Sequence, residues 1–220
     1  MDGMAAVRPE QSSKGAAMVC LFGAAEPTDH YPSFRFLDGN IKSIEVSDKT
    51  REPGVSLLGY KTVQFILGRS ITGENVPKIL EWHDDQSLLV DYFTPEGFPC
   101  VSERLKEAIE YLEPGVHQFF PIKVVDSNGV EIATRYLWVI CSSLDSVDPD
   151  ETNLMLKSWR WSAEGIENPK LVFNRERIGS HQFWRDRYLG VGNIVCGPRA
   201  CEYLAEIGIS GLLLRNREAV

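Results

Sequence analysis

Apolar residues recur at helical spacing at two places in the second half of the chain. The first helix is predicted over 102–113, where Ser102 is a favourable N-cap, Pro114-Gly115 ends the helix, and one face is lined by Leu105, Ala108, Ile109 and Leu112. The second is predicted to begin at Pro198, with Gly208 as its cap and an apolar stripe of Cys201, Leu204 and Ile207. Strand-like runs flank each helix, so two segments share a strand–helix–strand layout.

A β-hairpin is predicted between the two helices. Its arms are 116–125 and 130–141, joined by the tight turn Asp126-Ser127-Asn128-Gly129. The distal half of the second arm is apolar on both parities, which is typical of a central strand that is covered on each side. Further strands are predicted over 170–175, 181–189, 193–196 and 212–214, before a polar tail at 215–220.

The first half of the chain shows only short strand-like runs. The runs are 19–22, 31–37, 62–67 and 86–91. The run 31–37 is followed by the hairpin turn Asp38-Gly39-Asn40, and the sheet is predicted to continue at Ile41, Ile44 and Val46. We therefore predict a flexible tail over 1–15, a β-rich lobe over 16–95 and an α+β domain over 96–220, with the lobe and the domain separate or continuous. The predicted fold class is α+β, mostly antiparallel sheet with a few packed helices and a recurrent β-α-β unit.

Composition and charge narrow the class of partner. The chain has 220 residues, of which 43% are hydrophobic, so it can bury a proper core. Acidic residues outnumber basic ones by 31 to 23, and the net charge of -8 repels nucleic-acid phosphates and attracts a basic protein. No apolar run approaches membrane-span length, and the five scattered cysteines suit a reducing compartment. The expectation is a cytoplasmic protein with a protein partner, and neither a membrane nor direct nucleic-acid binding.

Familiar catalytic signatures are missing from the sequence. The four histidines are dispersed, and Cys196 and Cys201 lack the second pair that a zinc knuckle needs. No catalytic residue, cofactor or metal is predicted, and the protein is expected not to be an enzyme. Two alternatives stay open. One is a small enzyme that uses His83 with Asp84 and Asp85, or His181 with the arginine cluster, and the other is a nucleic-acid-binding surface at that cluster, Arg175, Arg177, Arg185 and Arg187.

Two acidic stretches lie beside tryptophans. Aromatic residues anchor protein interfaces while surrounding charges set approach and selectivity, so these stretches are the predicted partner-binding surface. Its residues are Trp82, Asp84, Asp85, Asp145, Asp148, Asp150, Glu151, Trp159 and Trp161. The competing interpretation is a set of solvated loops above tryptophans of the core.

Four features follow one another within residues 98–216: Val101-Ser102-Glu103 at the start of a helix, His117-Gln118-Phe119-Phe120-Pro121-Ile122, Tyr136-Leu137-Trp138-Val139-Ile140, and a closing run over 201–212. In order and spacing they resemble the eleventh family of bacterial polymorphic-toxin immunity proteins. The resemblance implies a non-catalytic protein encoded beside a secreted or contact-delivered toxin, often a nuclease. Such a protein protects the producing cell in interbacterial competition by binding the toxin in the cytoplasm.

Overall fold

A computed structural model describes residues 17–25, 33–47, 66–86, 89–157, 160–190 and 193–220. Its strands are β1 (Ala17–Ala24), β2 (Phe34–Phe36), β3 (Ile79–Trp82), β4 (Tyr92–Phe93), β5 (Cys100–Val101), β6 (Gln118–Val125), β7 (Glu131–Val139), β8 (Ser143–Leu144), β9 (Met155–Lys157), β10 (Arg160–Ser162), β11 (Val172–Phe173), β12 (Phe183–Asp186), β13 (Ile194–Cys196) and β14 (Leu212–Ala219). The α-helices are α1 (Glu103–Leu112), α2 (Arg175–Ile178) and α3 (Pro198–Ile207). The prediction of a mixed structure made mostly of strands is confirmed.

Two six-stranded sheets carry the fold. The terminal sheet contains the first and last described strands, in the order β11-β14-β1-β13-β12-β8, and the hairpin sheet has the order β2-β3-β6-β7-β5-β4. Most neighbouring strands run antiparallel, and β9 and β10 form a separate two-stranded hairpin. The predicted hairpin β6–β7 lies at the centre of its sheet, as expected.

Alternation along the strands distributes side chains among three cores. On β7, Trp138 points into a central core shared by both sheets, α1 and α3, whereas Leu137 and Val139 point into a second core on the opposite face. On β13, Cys196 faces the central core and Val195 faces a third core behind the terminal sheet. Each fully buried large side chain contributes roughly 1.5–3 kcal/mol, so strands that are apolar on both faces hold the layers together.

Both main helices begin and end where the sequence predicts. The Ser102 hydroxyl caps α1 by accepting a hydrogen bond from the Leu105 amide at 3.2 Å. Pro198 occupies the first turn of α3, and Gly208 follows it in the left-handed region at φ 63°. Their apolar faces pack into the central core, which leaves the opposite faces exposed.

Several strand predictions are wrong because tertiary pairing overrides the local pattern. After the turn at Gly39, residues 41–43 form a short 3-10 helix, and β2 pairs instead with β3, which is more than 40 residues away. Residues 89–90 belong to no strand, and residues 62–65 lie outside the described part. The predicted polar tail is strand as far as Ala219, because β14 pairs with β1 along its whole length.

The N-terminal segment contributes strands to both sheets. β1 lies between β13 and β14, while β2 and β3 extend the hairpin sheet beside β6. The domain boundary near residue 95 stays a prediction, and residues 1–15 lie outside the described part of the chain. None of the helices among the described residues has the length and apolar character needed to cross a membrane.

Candidate functional site

The first predicted acidic patch is built over a core tryptophan. Trp82 is 1% exposed, and its indole nitrogen donates to the Asp85 carbonyl oxygen at 3.2 Å. The Asp84 carboxylate accepts a hydrogen bond from the Ser33 amide, while Asp85 is exposed. Only the carboxylates of this patch therefore reach the surface, and the aromatic ring does not.

The second predicted patch is divided between folding and surface roles. Asp148 is 7% exposed, and its carboxylate accepts hydrogen bonds from the Asn174 side chain at 2.9 Å and from the Asp150 and Glu151 amides. These bonds, led by that of Asn174, hold the pKa of Asp148 below its usual value. Asp148 thus shapes the loop from within, whereas Asp150 and Glu151 are exposed.

The remaining members of the second patch also have structural contacts. The Asp145 carboxylate pairs with Arg177 at 3.3 Å, and half-buried Trp161 packs against the third core. Trp159 lies outside the described residues. Next to this patch, the β9–β10 hairpin exposes Met155 and Leu156.

Glu113 joins the two sheets below the surface. Its carboxylate accepts hydrogen bonds from the Gln182 and Phe183 amides at 2.7 and 2.9 Å, and lies 2.8 Å from His117 Nε2. His117 Nδ1 accepts from the Cys141 amide, so Nε2 carries the proton and donates to Glu113. Burial by itself raises the pKa of Glu113, but these hydrogen bonds outweigh it and hold the pKa below its usual value.

Asp91 is a second carboxylate used in folding. It accepts hydrogen bonds from the Ser102 hydroxyl at 2.7 Å and from the hydroxyl and amide of Ser210, and it lies 3.8 Å from Arg104. The start of α1 is thereby tied to the loop that follows α3. Arg104 reinforces this tie, because its guanidinium donates to the carbonyl oxygens of Ile207 and Gly208.

The outer surfaces of α1 and α3 form one continuous face, here called the α1–α3 face. Arg104 at the start of α1 reaches the end of α3, while Tyr111 at the end of α1 contacts Tyr203 with ring centroids 5.3 Å apart. The helices therefore lie side by side and antiparallel. Tyr111 is 61% exposed, and the Arg199 guanidinium lies 5.4 Å from its ring centre.

Carboxylates surround this aromatic pair. Glu107, Glu202 and Glu206 are exposed on the α1–α3 face, and within the described part of the chain none of the three forms an ion pair. The cations nearby are already engaged: Lys106 pairs with Glu103 at 2.8 Å and lies over the Tyr136 ring. The face thus combines exposed negative charge with tyrosine and arginine, the residue types enriched at energetically important interface positions.

Several residues proposed for the two alternative functions make contacts with other parts of the fold. His83 is exposed and lies 3.2 Å from Glu81, whose carboxylate also binds Arg35. Arg185 is buried beside Tyr92, while Arg175 donates to a backbone carbonyl and Arg177 pairs with an aspartate.

Two clefts of about 290 and 530 Å³ lie beside the turn at Gly39, and neither includes a histidine or any arginine of the proposed cluster. The clefts are lined by residues within 36–42 and 72–78 and by Glu96.

Three cysteines from distant parts of the chain meet in the central core. The sulfur atoms of Cys20, Cys196 and Cys201 all lie within 4.8 Å of one another. Hydrogen bonds from the Cys196 and Cys201 thiols lower the pKa of Cys20 to about 4, and burial raises the pKa of Cys196. The sequence shows only the pair Cys196 and Cys201, since Cys20 reaches them through the pairing of β1 with β13.

Comparison with known proteins identifies the family. A model of the immunity protein family Imm11 matches residues 72–214, which include α1, α3 and the β6–β7 hairpin. The chain belongs to the Imm11 immunity protein family. This confirms the resemblance drawn from the sequence, and membership of an immunity family indicates a toxin-neutralising function. No curated protein matches the chain.

The Imm11 match covers the whole α1–α3 face, which the sequence analysis did not select. Its exposed residues are spread over two helices about 90 residues apart, so no single stretch of sequence looks like a patch. The available signal was the glutamate-rich polar side of each amphipathic helix, in Glu107, Glu110 and Tyr111 and again in Glu202, Tyr203 and Glu206.

Proposed function

We propose that this Imm11 protein neutralises a cognate bacterial toxin by binding it in the cytoplasm, with no catalytic step of its own. The observation that carries the proposal is the family match over residues 72–214. The toxin is secreted or delivered by contact between competing bacteria, and the immunity protein protects the cell that produces it. Inhibition then depends on the surface that the protein presents.

The charge of the chain favours a basic toxin. A net charge of -8 accelerates encounter with a positively charged protein and disfavours direct contact with nucleic acid. Nucleases carry positive charge where they bind phosphates, so a nuclease toxin fits this field. Salt should weaken the complex, because screening reduces attraction between exposed charges.

The α1–α3 face is the docking surface we favour. Exposed Tyr111 and half-buried Tyr203 supply an aromatic centre, and Glu107, Glu202 and Glu206 supply exposed carboxylates that form no ion pair among the described residues. Contacts at Asp91 and Arg104 hold the two helices in register, so little ordering is needed when a partner binds. This face therefore offers a basic toxin both negative charge and aromatic anchors.

The surface predicted from the sequence is a second docking candidate. Of its residues, Asp85, Asp150 and Glu151 are exposed, whereas Trp82 and Asp148 are buried. Exposed Met155 and Leu156 add an apolar element near the second patch. This candidate is weaker because Trp82 and Trp161, which were predicted to anchor the partner, contribute to the cores.

We also propose that the two strand–helix–strand segments are one recurrent unit. In β5–α1–β6 the two strands are parallel to each other with antiparallel β7 between them, and in β13–α3–β14 the intervening strand is β1. The same arrangement on both sheets supports a β-α-β unit used twice, each copy contributing one helix to the α1–α3 face.

Growth rescue tests the proposed function. The toxin domain encoded beside this gene is expressed in a susceptible host, with and without the immunity protein, and binding of the purified pair is measured by calorimetry. We expect rescue and a dissociation constant in the low nanomolar range or below, roughly -11 kcal/mol or stronger. A neighbouring toxin that kills equally well in both strains, with no heat of binding, would contradict the proposal.

A further inference from the structure

The cluster of Cys20, Cys196 and Cys201 has the make-up of a metal site. Cys20 and Cys196 are register partners on β1 and β13, so their side chains lie on the same face of the terminal sheet. Cys201, in the first turns of α3, lies over them with its sulfur 3.4 Å from that of Cys196. Backbone pairing and helix packing thus converge three sulfur ligands on one point.

From this arrangement we propose that Cys20, Cys196 and Cys201 bind one thiophilic ion of the Zn²⁺ type. A tetrahedral ion with Zn–S bonds near 2.3 Å holds its sulfurs about 3.8 Å apart. The observed separations, from 3.4 Å to at most 4.8 Å, require only small side-chain movements to reach that geometry. Thiolates select soft ions such as Zn²⁺ and Cu⁺ over Mg²⁺ and Ca²⁺.

Asn216 offers a candidate fourth ligand beside Cys20. Asn216 on β14 is the register partner of Cys20, and its side-chain oxygen lies 3.2 Å from the Cys20 sulfur. Asn216 is exposed while the three cysteines are buried. The Asn216 amide oxygen or a water can complete four-coordination of the ion.

Because the three cysteines are buried, all of them can be ionised together only when a cation is bound. Three thiolates in an apolar core would repel one another, whereas a divalent ion leaves a single net negative charge on the site. The N-terminal turn of α3, a helix of ten residues, adds partial positive charge beside Cys196 and Cys201. The ion would cross-link β1, β13 and α3, segments that are up to 181 positions apart in the sequence.

Cobalt titration of the purified full chain tests the site, since Co²⁺ replaces Zn²⁺ and reports sulfur ligation by its absorption. The metal-free, reduced protein is titrated with Co²⁺ and then with Zn²⁺. We expect one Co²⁺ per chain, sulfur-to-cobalt charge-transfer and tetrahedral visible bands, and loss of both bands when Zn²⁺ displaces the ion. A folded protein that shows no charge-transfer band at saturating Co²⁺ would overturn the proposal in favour of a buried cysteine cluster that binds no metal.

Matched cysteine variants assign the ligands. Cys201→Ala should weaken Co²⁺ binding at least tenfold, whereas Cys141→Ala, which removes a half-buried thiol outside the cluster, should leave it unchanged. Zn²⁺ should raise the thermal unfolding midpoint of the wild type and of Cys141→Ala but not of Cys201→Ala. Equal binding by both variants would overturn the assignment, and circular dichroism checks that each variant is folded.

Discussion

The α1–α3 face and the Asp145–Glu151 loop both place carboxylates near aromatic rings, yet they use them differently. In the loop, Asp148 accepts backbone and side-chain hydrogen bonds and Asp145 pairs with Arg177, so half of the acidic residues hold the fold together. On the helices, exposed Glu107, Glu202 and Glu206 form no ion pair within the described part of the chain, and the Tyr111 ring remains at the surface. The same residue types are therefore structural in one region and free to meet a partner in the other.

This comparison separates two kinds of carboxylate. Those with several internal hydrogen bonds should affect stability when they are removed, because their donors are left unsatisfied in the interior. Those that project from a preformed helical surface should affect association, because their charge acts only when a partner approaches. Substitutions at each kind of carboxylate, together with measurements of stability and toxin binding, test this distinction.

Glu113→Ala should produce the largest effect, a loss of about 3 kcal/mol in the free energy of unfolding. The change leaves His117 and the amides of Gln182 and Phe183 without their common acceptor. Chemical denaturation measures the loss. A loss below about 0.5 kcal/mol would show that water replaces the carboxylate and that Glu113 is not a structural link.

The pH dependence of Glu113→Gln sharpens the same point. The folded-state pKa of Glu113 lies below its usual value of 4.5, so its charged form stabilises the protein above that pH. The stabilisation is lost as the pH falls through the folded-state pKa. The difference in unfolding free energy between the wild type and Glu113→Gln should therefore be constant near neutrality and shrink below pH 4.5.

Charge reversal on the two regions gives the most direct comparison. Glu107→Lys with Glu202→Lys should weaken toxin binding about 100-fold, because like charges then face a basic partner. Asp150→Lys with Glu151→Lys changes the net charge by the same amount and should weaken binding less than about threefold. Calorimetry on both double variants measures the difference in toxin affinity. If the loop variant loses more affinity than the helix variant, the toxin docks on the loop.

Tyr111→Ala should cost about 2 kcal/mol of binding free energy, as expected for an exposed tyrosine at the centre of an interface. Stability should change by less than about 0.5 kcal/mol, because the ring is mostly exposed. Met155→Ala, which truncates an exposed side chain of the β9–β10 hairpin, is the matched control and should bind normally. Unchanged binding by Tyr111→Ala would show that the aromatic pair lies outside the toxin interface.

Asp148→Asn should give the smallest effect, a loss of about 1 kcal/mol in stability with no direct effect on binding. The amide keeps one acceptor oxygen but loses the charge that strengthens the bonds from Asn174 and the loop amides. Thermal unfolding and calorimetry are compared at neutral pH. Weakened binding with unchanged stability would show instead that Asp148 contacts the toxin.

Much of the fold was predictable where the determining contacts are local. The Ser102 cap, the Pro198 start, the β6–β7 hairpin and the two-faced apolar strand β7 all follow from residues close in sequence. Predictions failed in the first half, where β2 pairs with the distant β3 instead of the adjacent segment. The binding surface was less predictable. The sequence pattern of a tryptophan beside an acidic stretch is the same whether the ring is buried or exposed.

The sequence alone determined the two capped helices, the central hairpin, the acidic character and the family resemblance, because periodicity, capping and composition are properties of short segments or of the whole chain. Only the tertiary structure decided which carboxylates are used in folding, which helical surfaces combine into one face, and which cysteines meet. These outcomes depend on contacts between residues about 70 to 200 positions apart, such as Glu113 with Phe183 and Cys20 with Cys196 and Asn216. Such pairings are set by strand order and packing, which no local pattern encodes.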